Sequence, residues 1–198
     1  MEISAEKVKE LRQRTGIGVM ECKEALHECE GDIEKAIAAL RKKGYARAKE
    51  KMSRETSQGL VQSYIHLEGK IGVLVEVSCE SDFVARNAEF KELVKNIAMQ
   101  IAAASPRYVS ADQIPAQELE AEKEIIRAQL ADTKKPPQII EKIVEGKLKK
   151  YYEDICLLDQ PYIKDDKMSV QQLIATFIAK FGENIRVKRF ARFELGKD

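Results

Sequence analysis

Cysteine is scarce in this sequence of 198 residues: Cys22, Cys29, Cys79 and Cys156 stand far apart, with no Cys-x-x-Cys pair. That pattern excludes a disulfide scaffold and the common zinc spacings, and leaves four reduced thiols. Cys22 and Cys29 are seven residues apart, which fits one apolar helix face, so packing outweighs a metal site shared with His27. No stretch approaches the roughly 20 apolar residues of a membrane span. The Met1-Glu2 start lacks the basic and apolar regions of a secretory signal, so a cytoplasmic protein is expected, with no membrane partner. Nucleotide, Walker, zincin and nucleophile-elbow motifs are all missing, and only His27 and His66 are available as imidazole bases. Neither has an acid and a nucleophile fixed beside it by helical or strand spacing. A thiol enzyme using Cys79 and His66 is a minor alternative; the expectation is a binding protein with no covalent chemistry, no metal and no cofactor. One-sided charge is missing too, because 34 basic residues nearly cancel 33 acidic ones to leave +1. Nucleic acid would need a local patch.

What is present begins with helices. Ser4 can cap a segment bearing Val8 and Leu11, "RTGIG" breaks it, and Val19, Cys22, Leu26 and Cys29 line the next until Gly31. Asp32 can cap a third carrying Ile33, Ala36, Ile37 and Leu40, with Gly44 as the expected stop. Residues 1–44 thus form a three-helix module, too small to hold much of a core and better suited to docking than to catalysis. Residues 45–58 read as a charged linker.

The period then changes. "LVQSYIHL" and "KIGVLVEVS" are β-rich runs around Glu68-Gly69, followed by a helix with Phe90, Leu93, Val94, Ile97 and Ile101 on one face. Residues 115–156 suggest a projecting helical hairpin turning at "TKKPP", and "LLDQPYIKDD" an irregular connection. A further core helix carries Val170, Ile174, Phe177 and Phe181. In the last run, "NIRVKRFARFEL", Ile185, Val187, Ala191, Phe193 and Leu195 alternate as one strand face. Residues 59–198 therefore predict an α+β core, an antiparallel three-stranded sheet covered by helices on one face.

Two features carry functional weight. The basic residues Arg41, Lys42, Lys43, Arg47, Lys49, Lys51 and Arg54, with Arg186, Lys188, Arg189 and Arg192 of the last strand, give an RNA-binding reading; a solvated linker and an outer strand face is the plainer one. No aromatic ladder accompanies the linker charges, where Tyr45 stands alone, and no specific nucleic acid is expected. In "CESDFVARN", Ser81 can cap a helical turn at the strand's end. Phe83 then either folds back as core or protrudes with Asp82, and spacing alone leaves both open. A protruding ring and acid suit insertion into a partner that holds a cation or phosphate.

"VKELRQRTGIGVMECKEAL", "GDIEKAIAALRKKG", "VLVEVSCESDFVARN", "EKIVEGKLKK", "LLDQPYIKD" and "GENIRVKRFARFELG", in that order, resemble the bacterial translation elongation factor Ts family, in its short form, along essentially the whole chain. The resemblance implies a guanine-nucleotide exchange factor for elongation factor Tu, with a ubiquitin-associated-like head. It implies that a Thr-Asp-Phe-Val motif, here Ser81, Asp82, Phe83 and Val84, intrudes near the GTPase's Mg²⁺ and phosphate site. Ser81 stands for the usual Thr and Ser78 for a usual Asn. It further implies that Arg12, Val19 and Met20 contact the GTPase domain, Val19 replacing a usual Met. Longer members carry two copies of the sheet-bearing half; a homodimer would supply the second here. His66 would then meet the partner from the second protomer.

Overall fold

In a computed structural model, which describes residues 3–130 and 136–197 and omits the side chains of Arg41, Tyr45, Arg47, Lys49 and Pro137, there are eight α-helices and five strands among the described residues. The helices are α1 (Ala5–Thr15), α2 (Val19–Glu28), α3 (Ile33–Lys51), α4 (Asp82–Arg86), α5 (Ala88–Ala104), α6 (Ala116–Leu130), α7 (Pro137–Ile155) and α8 (Val170–Phe181). The strands are β1 (Gln58–His66), β2 (Ile71–Cys79), β3 (Pro161–Tyr162), β4 (Asp165–Ser169) and β5 (Ile185–Glu194). The architecture is α+β, with an antiparallel sheet in the order β1-β2-β5. Two compact units are formed: Met1–Leu60 with Val77–Lys91 and Gln172–Arg186, and Val61–Glu76 with Glu92–Gln171 and Val187–Asp198.

In the first unit the head follows its capping signals. Ser4 Oγ accepts from the Lys7 amide at 3.4 Å, and Asp32 Oδ1 from the Lys35 amide at 3.0 Å. Val8, Leu11, Cys22, Leu26, Ala36 and Leu40 close one small core, where the Cys22 thiol donates to the Ile17 carbonyl at 3.6 Å. The spacing of Gly44 was misleading. It does not stop the helix; α3 runs on to Lys51. A Cβ at Gly44 would lie 3.2 Å from that of Ala179 on α8, so the residue permits close approach of two helices instead of ending one. That reason is invisible without the tertiary neighbour.

Further along, Gly59 (φ +145°) sits where a Cβ would fall 2.2 Å from the Val77 carbonyl oxygen and 2.6 Å from the Ser78 Cα. Beside it the Thr56 and Ser78 hydroxyls, both buried, share a hydrogen bond at 2.7 Å, and Ser78 Oγ donates to the Arg186 carbonyl at 3.4 Å. Ser78 is thus a satisfied buried polar group at the end of β2 and not a surface feature.

The second unit holds most of the sheet. Val73 and Val75 are buried on one side of β2 while Leu74 is exposed on the other. A Cβ on Gly72 would lie 3.4 Å from Ile65 Cδ1, and Arg189 Nε pairs with Glu76 Oε2 at 2.7 Å, which puts Ile65, Leu74, Ala191 and Phe193 on one outer face. The expected face of β5 is therefore not continuous: the covered positions are Ile185 and Val187, the alternation breaks at Lys188 and Arg189, both exposed, and the partly covered positions resume at Phe190, Arg192 and Glu194. Ile185 and Val187 are buried, whereas Phe193 and Leu195 are 72% and 80% exposed. Alternation read from the sequence does not reveal a break within a strand, and carries no information on whether a side is covered.

Elsewhere in this unit, Ile126, Leu130, Val144 and Leu148 pack α6 against α7. The turn expected at Thr133-Lys134-Lys135 lies outside the described residues. At their base Glu118 accepts from Arg107 Nη1 and Nη2 at 2.7 and 3.1 Å, and from the Tyr108 and Tyr151 hydroxyls at 2.7 Å each. The two tyrosine hydrogen bonds, Tyr151's first, hold the Glu118 carboxyl below the usual range, and burial with the same contact pushes Tyr151 up to about 12. The connection expected to be irregular contains the β3–β4 pair, with Tyr162 opposite Asp165.

Candidate functional site

The corner after β2 is built by one cap. Cys79 is buried, and its thiol donates to the Ser81 carbonyl at 3.2 Å. Burial first, and then the nearby Glu183 charge, pushes that thiol up to about 11, so it stays protonated at neutral pH and is a poor nucleophile. Ser81 is extended (φ −120°, ψ 153°) and its Oγ accepts from the Val84 amide at 3.3 Å, which starts α4. Within that short helix Val84 and Ala85 turn inward and are buried. Phe83 turns outward. It is 82% exposed, the highest value among the exposed large apolar residues of the described chain.

Asp82 Oδ2 meets Arg86 Nη2 at 2.8 Å across one helical turn, both side chains open to solvent. Such a pair holds the acid in place weakly and can be exchanged for a partner's cation. Asn87 then accepts the Glu89 amide at 2.8 Å and begins α5. A bare aromatic ring and an accessible carboxylate thus project together from a corner whose other side chains are anchored.

Of the other residues expected to contact a partner, Arg12 and Val19 line one open groove of about 330 Å³ in the head, together with Ile3, Val8 and Lys23. Met20, adjacent to Val19, is 67% exposed. These belong to the same unit as Ser81–Val84, whereas His66 belongs to the other, at the exposed end of β1, stacked on Tyr64 with ring centroids 5.8 Å apart. Val84, by contrast, turns inward and is 3% exposed, so it anchors the corner from within the chain. Among the basic residues, Lys43 pairs with Glu28, Lys51 donates to the Gly182 carbonyl, Arg54 faces Glu80, and Arg192 donates to the Ala102 carbonyl.

A family model described as elongation factor TS matches residues 5–197. The chain belongs to the elongation factor Ts family. It is 57% identical over 197 residues to elongation factor Ts of Fervidobacterium nodosum, with both chains covered completely. To elongation factor Ts of Koribacter versatilis it is 60% identical over 196 residues, covering 99% of this chain and 90% of that one. To the Thermotoga neapolitana protein of the same name it is 55% identical over 198 residues, again with both covered completely. Membership of the elongation factor Ts family accounts for the order of the quoted motifs but says nothing about which side chains hold the corner. Sequence reasoning missed Glu183, Asn184, Glu80 and Arg86 there. Only Arg86 left a local trace, its spacing of four from Asp82.

Proposed function

We propose that the chain is a cytoplasmic guanine-nucleotide exchange factor that promotes GDP release from elongation factor Tu during translation, with no covalent chemistry of its own. The observation that carries this is the bare Phe83 ring beside Asp82 on an anchored corner. A GTPase retains GDP through phosphate-binding amides and a Mg²⁺ ion. A factor that binds the nucleotide-free form more tightly must, by reciprocity, weaken nucleotide binding by the same ratio. Each 1.4 kcal/mol of such differential contact is about tenfold in affinity. Burying one Phe ring in the partner contributes on the order of 2 kcal/mol, so Phe83 is a substantial but partial wedge. In this reading Phe83 displaces partner side chains, Asp82 competes for local cations, the Mg²⁺ site is disturbed and the phosphate loop relaxes. The ubiquitin-associated-like head, residues 1–44, docks through Arg12, Val19 and Met20; the linker, 45–58, joins it to the core, 59–198, from which the hairpin of about 115–156 projects. The commitment of Lys43, Lys51, Arg54 and Arg192 to partners within the chain favours exchange over RNA binding.

The test is release of labelled GDP from purified elongation factor Tu. Substoichiometric amounts of the chain are expected to accelerate it by at least about tenfold, as a factor that turns over must; unchanged release ends the reading.

A homodimer is part of the same proposal. Val61, Ile65, Leu74 and Phe193 are all exposed, and a sheet side of that character is the kind of surface that pairs symmetrically. His66 would reach the GTPase from the second protomer. Light scattering is expected to give twice the chain mass, and a monomeric mass would count against it.

A further inference from the structure

We propose that Glu183 is a positioning residue for nucleotide exchange: by gripping both the amide and the hydroxyl of Ser81, it sets the direction in which Phe83 leaves the surface. This rests on the reading of Phe83 as the wedge. Helix α4 has five residues, far below the length at which a helix persists unaided, so its orientation is set by its surroundings: buried Val84 and Ala85 on its inner side, and a distant side chain that holds its first turn. The holder is a carboxylate from 102 residues away. Ser81 donates its backbone N–H to Glu183 Oε2 at 2.9 Å and its hydroxyl to Oε1 at 2.6 Å, while the same Oγ accepts the Val84 amide. The two-point contact fixes rotation about the Ser81 backbone as well as position, and charge-assisted bonds of this kind are the stiff ones.

Glu183 is itself held. It lies in the short loop between α8 and β5, flanked by Gly182 and Asn184. Gly182 ends α8 in the left-handed region (φ +74°), and its carbonyl accepts Lys51 Nζ at 2.6 Å. Asn184 is fully buried; its side-chain amide donates to the carbonyls of Met52 at 3.2 Å and Arg54 at 2.7 Å. Its backbone N–H donates to Glu80 Oε1 at 2.6 Å, and Glu80 Oε2 faces Arg54 Nη1 at 3.7 Å. One loop therefore fastens the wedge corner on one side and the end of the head's last helix on the other. A misaligned ring would still be exposed and still bind, but would not enter its target at the productive angle.

The experiment measures labelled GDP release from elongation factor Tu over a range of factor concentrations, to separate the saturating rate from the half-saturating concentration. Glu183→Ala is expected to lower the saturating rate about tenfold with the half-saturating concentration changed less than about twofold, the signature of a contact used on the way to exchange and not in docking. Glu183→Gln keeps the shape and one acceptor oxygen for the Ser81 amide, while its N–H group can only donate to the Ser81 hydroxyl and the charge is lost, so it is expected to restore part of the rate. In a Phe83→Ala background Glu183→Ala should change the rate by less than about twofold further, because a residue that acts through the ring has nothing left to orient. Where Glu183→Ala does not fold, Glu183→Asp replaces it, its shorter arm being unable to reach both Ser81 groups. A wild-type rate for Glu183→Ala beside a slow Phe83→Ala overturns this proposal alone, as do losses that multiply in the double variant. A wild-type rate for Phe83→Ala overturns the wedge reading and this one with it.

Discussion

Phe83→Ala is expected to lower the saturating rate of factor-stimulated GDP release by roughly thirtyfold, the equivalent of about 2 kcal/mol. Its melting temperature should stay within about 2 °C of wild type. The two expectations are linked by one measurement of exposure. A ring that is 82% open to solvent makes few contacts in the free chain, so its loss is a surface substitution, costing within about 0.5 kcal/mol. Its apolar area can be removed from water only in a complex. If that burial occurs in the nucleotide-free complex and not in the GDP-bound one, the whole of it enters the coupling that ejects nucleotide. An Asp82→Asn variant would leave the ring in place and is a weaker probe, because the carboxylate already shares an exposed pair with Arg86. Equal rates for wild type and Phe83→Ala, measured at saturating factor, would leave the corner without a role.

Gly59→Ala is expected to cost at least about 3 kcal/mol of folding stability, which for a chain of this size is a fall of roughly 6–12 °C in Tm. Two independent penalties meet there. The backbone at φ +145° lies where L residues are strained, and the added methyl would sit 2.2 Å from a carbonyl oxygen that belongs to the neighbouring strand and cannot swing aside. Gly69→Ala separates them. Gly69 is also left-handed, at φ +93°, but has nothing within 4 Å of a Cβ, so its replacement carries strain alone, on the order of 1 kcal/mol. Thermal or denaturant unfolding of the two variants gives the clash as their difference. Similar losses for both would mean that β1 moves away from β2 at that point without penalty.

The corner shows how far local pattern reaches. That Ser81 would cap a helical turn was legible, because a cap and the amide it binds are three residues apart and no distant group is needed to form the contact. Whether Phe83 would face in or out was not, since a five-residue helix has too little periodicity to name its buried side. Val84 and Ala85 took the inward positions, and the ring was left outside. Gly44 failed for a related reason. Glycine is a good stop signal when the backbone needs a left-handed turn, and here it was needed for a small side chain facing Ala179. The loop at Gly182 to Asn184 announced itself only as a helix end.

Caps, helical faces and family membership were determined by the sequence alone, because each depends on residues within a few positions of one another or on motifs in fixed order. Tertiary structure decided which faces are covered, which glycines make room, and which distant carboxylate grips Ser81. Those are contacts between residues far apart in sequence, 102 positions for Ser81 and Glu183 and 132 for Met52 and Asn184, and their energy exists only after the chain has brought both ends together.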